Sequence, residues 1–425
     1  MKTNTLINKT LRAAAVTVAA IICVISMLTA LPGGALAAAN QMAPIYSADD
    51  LFTDRDLEQE PDLSEAESIT LTDGQDVTLT SAGVYVLSGT AKNATVYVDA
   101  GDDDKVQLVL DGVNVTNDSM PAIYVKNADK VFITMQADSS LSVTGSFQAD
   151  GSANLDGVIF AKDDITINGT AALAISSTDN GVVCKNDLRI TGGTLNITAA
   201  AKGLEAKESI RICGGVININ AGSDGIQAKD SDDNTVGYIA VFDGEITIVA
   251  DDDGIHAVTV LQIDGGNVSV TAEEGLEATV VQINGGTVNI AASDDGVNAA
   301  SKSSVYAPAV IFNGGYTTIV MGQGDTDGVD SNGDIYVNGG TVEVTGQSTF
   351  DCDGVSQKTG GTIIVNGSET DTIPNQMMGG FGGMGGWGGQ QGNQQGGWGG
   401  QQGNQQGGWG GQPGGRPQGG MGGRH

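Results

Sequence analysis

The stretch Asp-Asp-Gly-Ile-His-Ala-Val-Thr-Val-Leu-Gln-Ile-Asp-Gly-Gly-Asn-Val-Ser-Val-Thr-Ala, from Asp252 to Ala272, is followed at once by a second version of itself, from Glu273 to Ala292. The shared unit is acid-acid-Gly-aliphatic-x-Ala, then alternating aliphatic positions on either side of Gly-Gly. Its first Gly falls at Gly157, Gly181, Gly203, Gly225, Gly254, Gly275, Gly296, Gly328 and Gly354, with spacings of 24, 22, 22, 29, 21, 21, 32 and 26 residues. A shortest spacing with occasional longer ones is the mark of a stacked repeat, in which each unit closes on its neighbour and insertions loop outward. The apolar period inside the unit is two, which predicts strands. The central copy supplies three: Ile255 to Ala257, Leu261 to Ile263 and Val268 to Val270. Three short strands per unit, with corners that call for Gly at positive φ, point to a single-stranded parallel β-helix. A leucine-rich repeat would need a helical segment and a recurring Leu pattern, and the unit has neither.

Residues 1–37 have the form of a secretory signal: Lys2, Lys9 and Arg12, an apolar run from Ala13 to Leu31, then Ala35-Leu36-Ala37. Cys23 lacks the setting of a lipoprotein site, and no later apolar run reaches membrane-spanning length. The product is expected outside the cell, secreted or associated with its surface, without a membrane span once the signal is removed. That removal moves the formal charge from -32 to -35, a field that excludes nucleic acid as a partner. The remaining Cys184, Cys213 and Cys352 are odd in number and assigned to different columns of the repeat, so no disulfide framework is indicated.

Residues 38–68 form an acidic leader whose Phe52-Thr53-Asp54-Arg55-Asp56-Leu57 segment is suited to docking against the first coil. The β-helix is expected over 69–367, on the order of 12 coils at roughly 22 to 25 residues each. Aromatic residues in its less regular early coils are expected to cap the open end of the core. Residues 368–425 form a low-complexity Gly/Gln/Trp-rich tail in which Trp387, Trp398 and Trp409 recur with period 11. Such a composition predicts disorder, with the Trp residues available to stack on sugars or on the cell surface, or simply solvated.

Period two places side chains just after the acid-Gly corner alternately inside and outside. Ile255 and Ala257 point in, and the next residues out. One outward column reads Glu205, Gln227, His256, Glu277, Asn298 and Asp330; the next begins Lys185, Lys207, Lys229 and then turns apolar or neutral. Before the corner stand Asp224, Asp253, Glu274, Asp295, Asp327 and Asp353, preceded by Asp251, Asp252, Glu273, Asp294, Asp325 and Asp351. Carboxylates stacked about 4.8 Å apart must protonate, splay into water or share a cation. An all-oxygen set of this kind, with amide carbonyls interleaved, suits calcium better than zinc. His256, alone among oxygen ligands, is expected to be a surface polar residue.

The stretches Phe52-Thr53-Asp54-Arg55-Asp56, Gly83-Val84-Tyr85-Val86-Leu87-Ser88-Gly89 and Val106-Gln107-Leu108-Val109-Leu110-Asp111-Gly112-Val113, with the later corners, resemble a secreted bacterial carbohydrate-binding β-helix family similar in fold to pectate lyases. The resemblance runs from about Leu51 to Gly367. It implies a right-handed helix, bound calcium, and association with cellulose or acidic plant-wall polysaccharide. Asn180 and Lys202 depart from the acidic column and direct attention to Asp251 through Asp353.

Three functions follow from these features. A binder would hold cellulose or polygalacturonate, with calcium joining protein carboxylates to glycan carboxylates, and with Glu205, Lys207, Gln227, Lys229 and His256 as candidate glycan contacts. A calcium-dependent polysaccharide lyase would need a Lys or Arg base beside the metal, and the Lys column stops where the acids become dense. A spacer or adhesin would act through its tail. The first is the principal expectation, without a catalytic residue assigned.

Overall fold

The computed structural model describes residues 42–323 and 326–374. The signal segment, Asp325 and the Trp-containing units of the tail lie outside the described residues. Within them the chain is all-β, with two four-residue helical turns, Ala48–Leu51 and Asp54–Leu57. The strands form one sheet of 22 and another of 12. Strand pairing is parallel up to Thr362–Val365, whose pairing with Ser368–Thr370 is antiparallel.

The alternating pattern of the central unit becomes three strands. Asp253–Ala257 joins the 12-stranded sheet, while Val260–Ile263 and Asn267–Ala272 join the larger one. Their partners come from the next unit, in the registers Ile255 to Leu276, Leu261 to Val281 and Val268 to Val288. Ile255, Ala257, Leu261, Ile263, Val268 and Val270 are all buried in the common core. Each large aliphatic side chain removed from water in this way contributes about 1.5 to 3 kcal/mol, and parallel stacking repeats that contribution from unit to unit.

The corner glycines are required by close approach, and positive φ belongs elsewhere. A Cβ on Gly254 would lie 2.1 Å from Val270 Cγ1 and 2.6 Å from the Gly275 carbonyl oxygen; on Gly275 it would lie 2.3 Å from that of Gly296. The second residue of Gly-Gly has the left-handed backbone instead, with φ of 79° at both Gly266 and Gly286.

Register also corrects the two ends of the glycine series. Val182 pairs with Ile159, so Val158 takes the place opposite Gly181 and Gly157 stands one residue earlier. Val329 pairs with Phe350, so Thr349 takes the corner place and Gly354 lies beyond the strand. Cys352 consequently falls beside Ser331 in the same inward column as Cys184. None of Cys184, Cys213 and Cys352 forms a disulfide among the described residues.

The leader does not lie against the first unit. It runs over the outward side of the larger sheet, where the Asn313 side chain donates to Met42 O at 2.7 Å, Tyr46 N donates to Gln262 Oε1 at 2.8 Å, and Arg189 and Arg211 donate to Leu51 O. The Tyr46 ring stacks on Tyr238 at 4.1 Å. Asp56 is fully buried at the other end: it caps its own helical turn through Thr53, accepts from Thr166 at 2.7 Å and pairs with Lys130 at 3.0 Å. Those bonds, led by Thr166, outweigh burial and hold its pKa at about 2. The polar side chains needed for docking are spread over many units, so the leader spans them.

Of the early aromatics, Tyr85 is buried in the core at its first units as expected, and others differ. Tyr124 and Phe160 pack edge-on at 5.6 Å on the outward side of the smaller sheet, covered by Leu155.

Candidate functional site

The outward column of the 12-stranded sheet reads Tyr97, Tyr124, Phe160, Val183, Glu205, Gln227, His256, Glu277, Asn298, Asp330 and Asp351. Its character changes along the stack, from rings to acids. Lys126 lies 4.7 Å above the Tyr97 ring and Lys185 lies 5.4 Å above Phe160. From Gln227 onward the column is polar, and Gln227, His256, Glu277 and Asn298 within it are buried while Asp330 and Asp351 are half-buried.

The long spacings expected to be loops overhang this part. The loop containing Asn234 and the loop containing Lys302, Ser303 and Ser304 meet through Ser303 Oγ to Asn234 O at 2.7 Å and Ser304 Oγ to Asn234 Oδ1 at 2.9 Å. Lys302 turns inward, with its Nζ 2.6 Å from Glu277 Oε1. Asp224, Gln227, Asp253, His256, Glu277 and Asn298 are all at least nine-tenths buried, although period two alone places this column on the outside of the sheet.

Burial and like charge raise the proton affinities of these carboxyls. Burial, then Asp253, lifts Asp224 to about 6. Burial, with Glu277 and Asp253, lifts Glu274 to about 8. Farther along, burial and Asp330 lift Asp295 to about 7, and burial with Asp327 and Asp351 lifts Asp330 to about 6. His256 is the reverse case: burial lowers its pKa despite Glu277, favouring neutral imidazole. Its Nδ1 lies 2.7 Å from Asp253 Oδ2 and 3.4 Å from Glu277 Oε2, so it is an interior partner of the acids and not a free surface residue.

Two triads bring potential ligand atoms within 4.8 Å of one another: Asp224, Asp253 and His256, and Asp253, Glu274 and Glu277. Asn298 sends Nδ2 to Glu274 Oε2 at 3.1 Å, while its buried Oδ1 has no hydrogen-bond partner. Crowded carboxyls beside a spare amide oxygen form a donor set suited to a hard divalent cation.

The remaining predicted residues divide into groups. Asp251, Asp252, Glu273, Asp294 and Asp353 are exposed, Asp353 past the end of its strand. Asp327 accepts from Ser348, its backbone N–H donates to Asp295 Oδ1 at 3.3 Å, and Asp351 stands beside Asp330 rather than before a corner. Glu205 is bridged by Lys185 at 3.1 Å and Lys202 at 3.0 Å, Lys207 pairs with Asp230 at 3.1 Å, and Gln227 donates to Asp224. Lys229 is exposed. Lys302 was absent from the candidate set because it belongs to an insertion and occupies no repeat column.

A repeat-built parallel β protein with a partly buried carboxylate column on one sheet is the class defined by these features. The profile of the carbohydrate-binding domain-containing protein family matches residues 73–328, and the chain belongs to that family. A carbohydrate-binding domain-containing protein of Acetivibrio thermocellus is 35% identical over 130 residues, covering 29% of this chain and 46% of the relative. The match thus spans about half the length of that relative. A solved structure described as the polysaccharide lyase-like protein from C. thermocellum, gadolinium derivative, is 33% identical, with a TM-score of 0.46, covering 48% of this chain and 90% of the other. No helix among the described residues is long and apolar enough to cross a membrane.

Proposed function

We propose that this chain is a secreted, calcium-dependent polysaccharide-binding protein, built as a right-handed parallel β-helix of about 12 coils. The carboxylate column from Asp224 to Asp330, buried at Asp224, Asp253 and Glu277, carries this reading. Its acids bind protons too tightly to remain comfortably charged together, and Asn298 adds an oxygen without a partner. Bound calcium would supply the positive charge that a strongly acidic protein needs to approach an acidic glycan. Asp253, Glu274, Glu277 and Asn298 are the central ligands in this proposal. The glycan classes are cellulose and polygalacturonate, with calcium dependence expected for the latter. The tail is an additional cell-surface contact in this scheme.

A pull-down on pectate gel, with calcium or with EDTA, tests the reading. Binding in calcium and its loss in EDTA are expected; binding indifferent to chelation would sink the bridging role.

Lys302 favours a second reading, a calcium-dependent polysaccharide lyase. It brings a basic nitrogen into the acidic cluster from which sequence columns excluded one. Lyase chemistry requires a proton acceptor beside an acidified carbon. Prolonged incubation of pectate with calcium and protein distinguishes the readings: unsaturated uronide absorbance would establish the lyase, and an unchanged spectrum with retained binding would leave the binder.

A further inference from the structure

The two longest spacings of the repeat contain insertions, and both insertions arise at the same corner. Residues 229–237 separate Ile226–Ala228 of the smaller sheet from Tyr238–Ala250 of the larger one, and residues 300–308 separate Val297–Ala299 from Ala309–Phe312. In the two units between them the corner is short: the strand ending at Ala257 is followed by one beginning at Val260, and that ending at Ala278 by one beginning at Val280. Each insertion therefore joins the sheet that carries the carboxylate column to the sheet surface that carries the leader.

Both ends of this bridge make contacts. On the column side Lys302 Nζ reaches Glu277 Oε1 at 2.6 Å, while Thr279 Oγ1 accepts from Lys302 N at 3.2 Å and from Ser303 N at 2.8 Å. The insertions bind each other where Ser303 and Ser304 donate to Asn234. On the leader side the Tyr46 ring stacks on Tyr238, the residue that follows the first insertion, and Tyr306 of the second joins them against Val260, Val280 and Ile311. Burial first, then Tyr306 and Tyr238, raise the Tyr46 phenol above its usual pKa, in keeping with three phenols gathered in one cluster.

Gln262 fixes Tyr46 in this place. Tyr46 N donates to Gln262 Oε1 and Gln262 Nε2 donates to Tyr46 O, both at 2.8 Å, and Gln262 is fully buried. Tyr46 thus stands on a rigid unit of the stack, and its ring meets segments that the nearest-neighbour contacts of the repeat do not hold. Ordering a loop at one end lowers the entropic cost of ordering it at the other, so the contacts at Tyr306 and at Lys302 support each other.

We infer that Tyr46 is a positioning residue for the carboxylate column: docked against Tyr238 and Tyr306, it holds the two insertions together and keeps the Lys302 ammonium on Glu277. The leader thereby regulates the cation site, and its release frees the acidic cluster of its internal cation. The regulatory part rests on the calcium reading; the positioning part does not.

The test compares the full mature chain with its Tyr46→Ala, Tyr46→Phe and Lys302→Met variants, by hydrogen exchange without calcium and by calorimetric calcium titration. Tyr46→Ala should speed exchange of residues 300–308 roughly 10-fold or more and tighten calcium binding about 5-fold. Tyr46→Phe, which keeps the ring, should match the wild type in both. In the Lys302→Met background Tyr46→Ala should have no further effect on calcium affinity, because the ammonium through which it acts is gone. Unchanged exchange of 300–308 in Tyr46→Ala overturns the positioning role. Faster exchange with unchanged calcium affinity, or equal tightening in both backgrounds, overturns the route through Lys302. If neither wild type nor variants bind calcium, the calcium reading fails, and exchange alone decides the positioning role by the same criterion. Should Tyr46→Ala lose its thermal transition, Tyr46→Leu decides in its place.

Discussion

Lys302 Nζ lies 2.6 Å from Oε1 of Glu277, a buried member of the Asp253, Glu274 and Glu277 cluster. The ammonium thus neutralises part of the same cluster proposed to hold calcium. An internal cation and a divalent ion cannot share those oxygens without repulsion. Lys302→Met should destabilise the calcium-free protein by about 1 to 3 kcal/mol, because Glu277 loses a buried charge partner. The same change should tighten calcium binding and enlarge the stabilisation that calcium produces. Thermal unfolding with and without calcium, together with calorimetric titration, checks both signs; weaker calcium binding would show that Lys302 supports the site.

The acidic column also sets a pH dependence. Asp224 near 6, Asp295 near 7, Asp330 near 6 and Glu274 near 8 hold protons more tightly than ordinary carboxyls, chiefly through burial. Their contribution favours folding while they are protonated, is complete below the unfolded carboxyl range, and is lost as pH rises through 6 to 8. Asp56 works in the opposite direction: its pKa of about 2 means its contribution is present above the unfolded value and disappears as pH falls toward 2. Without divalent cation, stability should therefore peak at about pH 4, where both contributions are nearly complete, and decline toward about pH 8.5. Calcium should raise the melting temperature much more at the upper pH. Differential scanning calorimetry across this range provides the check, and a calcium increment greatest at low pH contradicts the assignment.

The alternation in Ile255-His256-Ala257 made the core and the outward column readable from sequence, and parallel register brings His256 beside Glu277. It could not reveal that His256 is buried, because Asp253 and Glu277 close on its imidazole and Glu277 is met in turn by Lys302, from an insertion outside the repeat. Nor could spacing locate Asp351 beside Asp330. That position depends on Phe350 pairing with Val329, where Thr349 replaces the glycine that marked earlier corners. The leader illustrates the same limit: Asp56 looked suited to docking, but its partners Lys130 and Thr166 occupy separate repeats.

Gly275→Ala should be costly despite its small change in volume. The added Cβ would meet the Gly296 carbonyl oxygen at 2.3 Å and Ile290 Cγ2 at 2.4 Å. Neither backbone nor buried core can yield freely in a stack held on both sides, so a loss of roughly 1 to 3 kcal/mol is expected. Chemical denaturation measures it; near-neutral behaviour would mean that adjacent units separate more easily than their packing indicates.

Asp56→Ala should detach the leader's inner anchor without directly altering the carboxylate column. In the native protein Asp56 accepts from Thr166 and pairs with Lys130, while nearby Gln59 accepts from Gly169 N and Thr191 Oγ1 donates to Asp56 O. Removal of the carboxylate leaves Lys130 buried without this counter-ion, a loss of about 3 to 5 kcal/mol. Lys130→Met alone would leave the opposite charge unmatched, whereas the double variant Asp56→Ala/Lys130→Met should recover part of the loss. Chemical denaturation measures that coupling, and limited proteolysis around residues 42–59 reports detachment. Additive destabilisation together with unchanged protease resistance would sink the anchoring role, because an anchor requires both mutual dependence of the pair and exposure of the leader when the pair is broken.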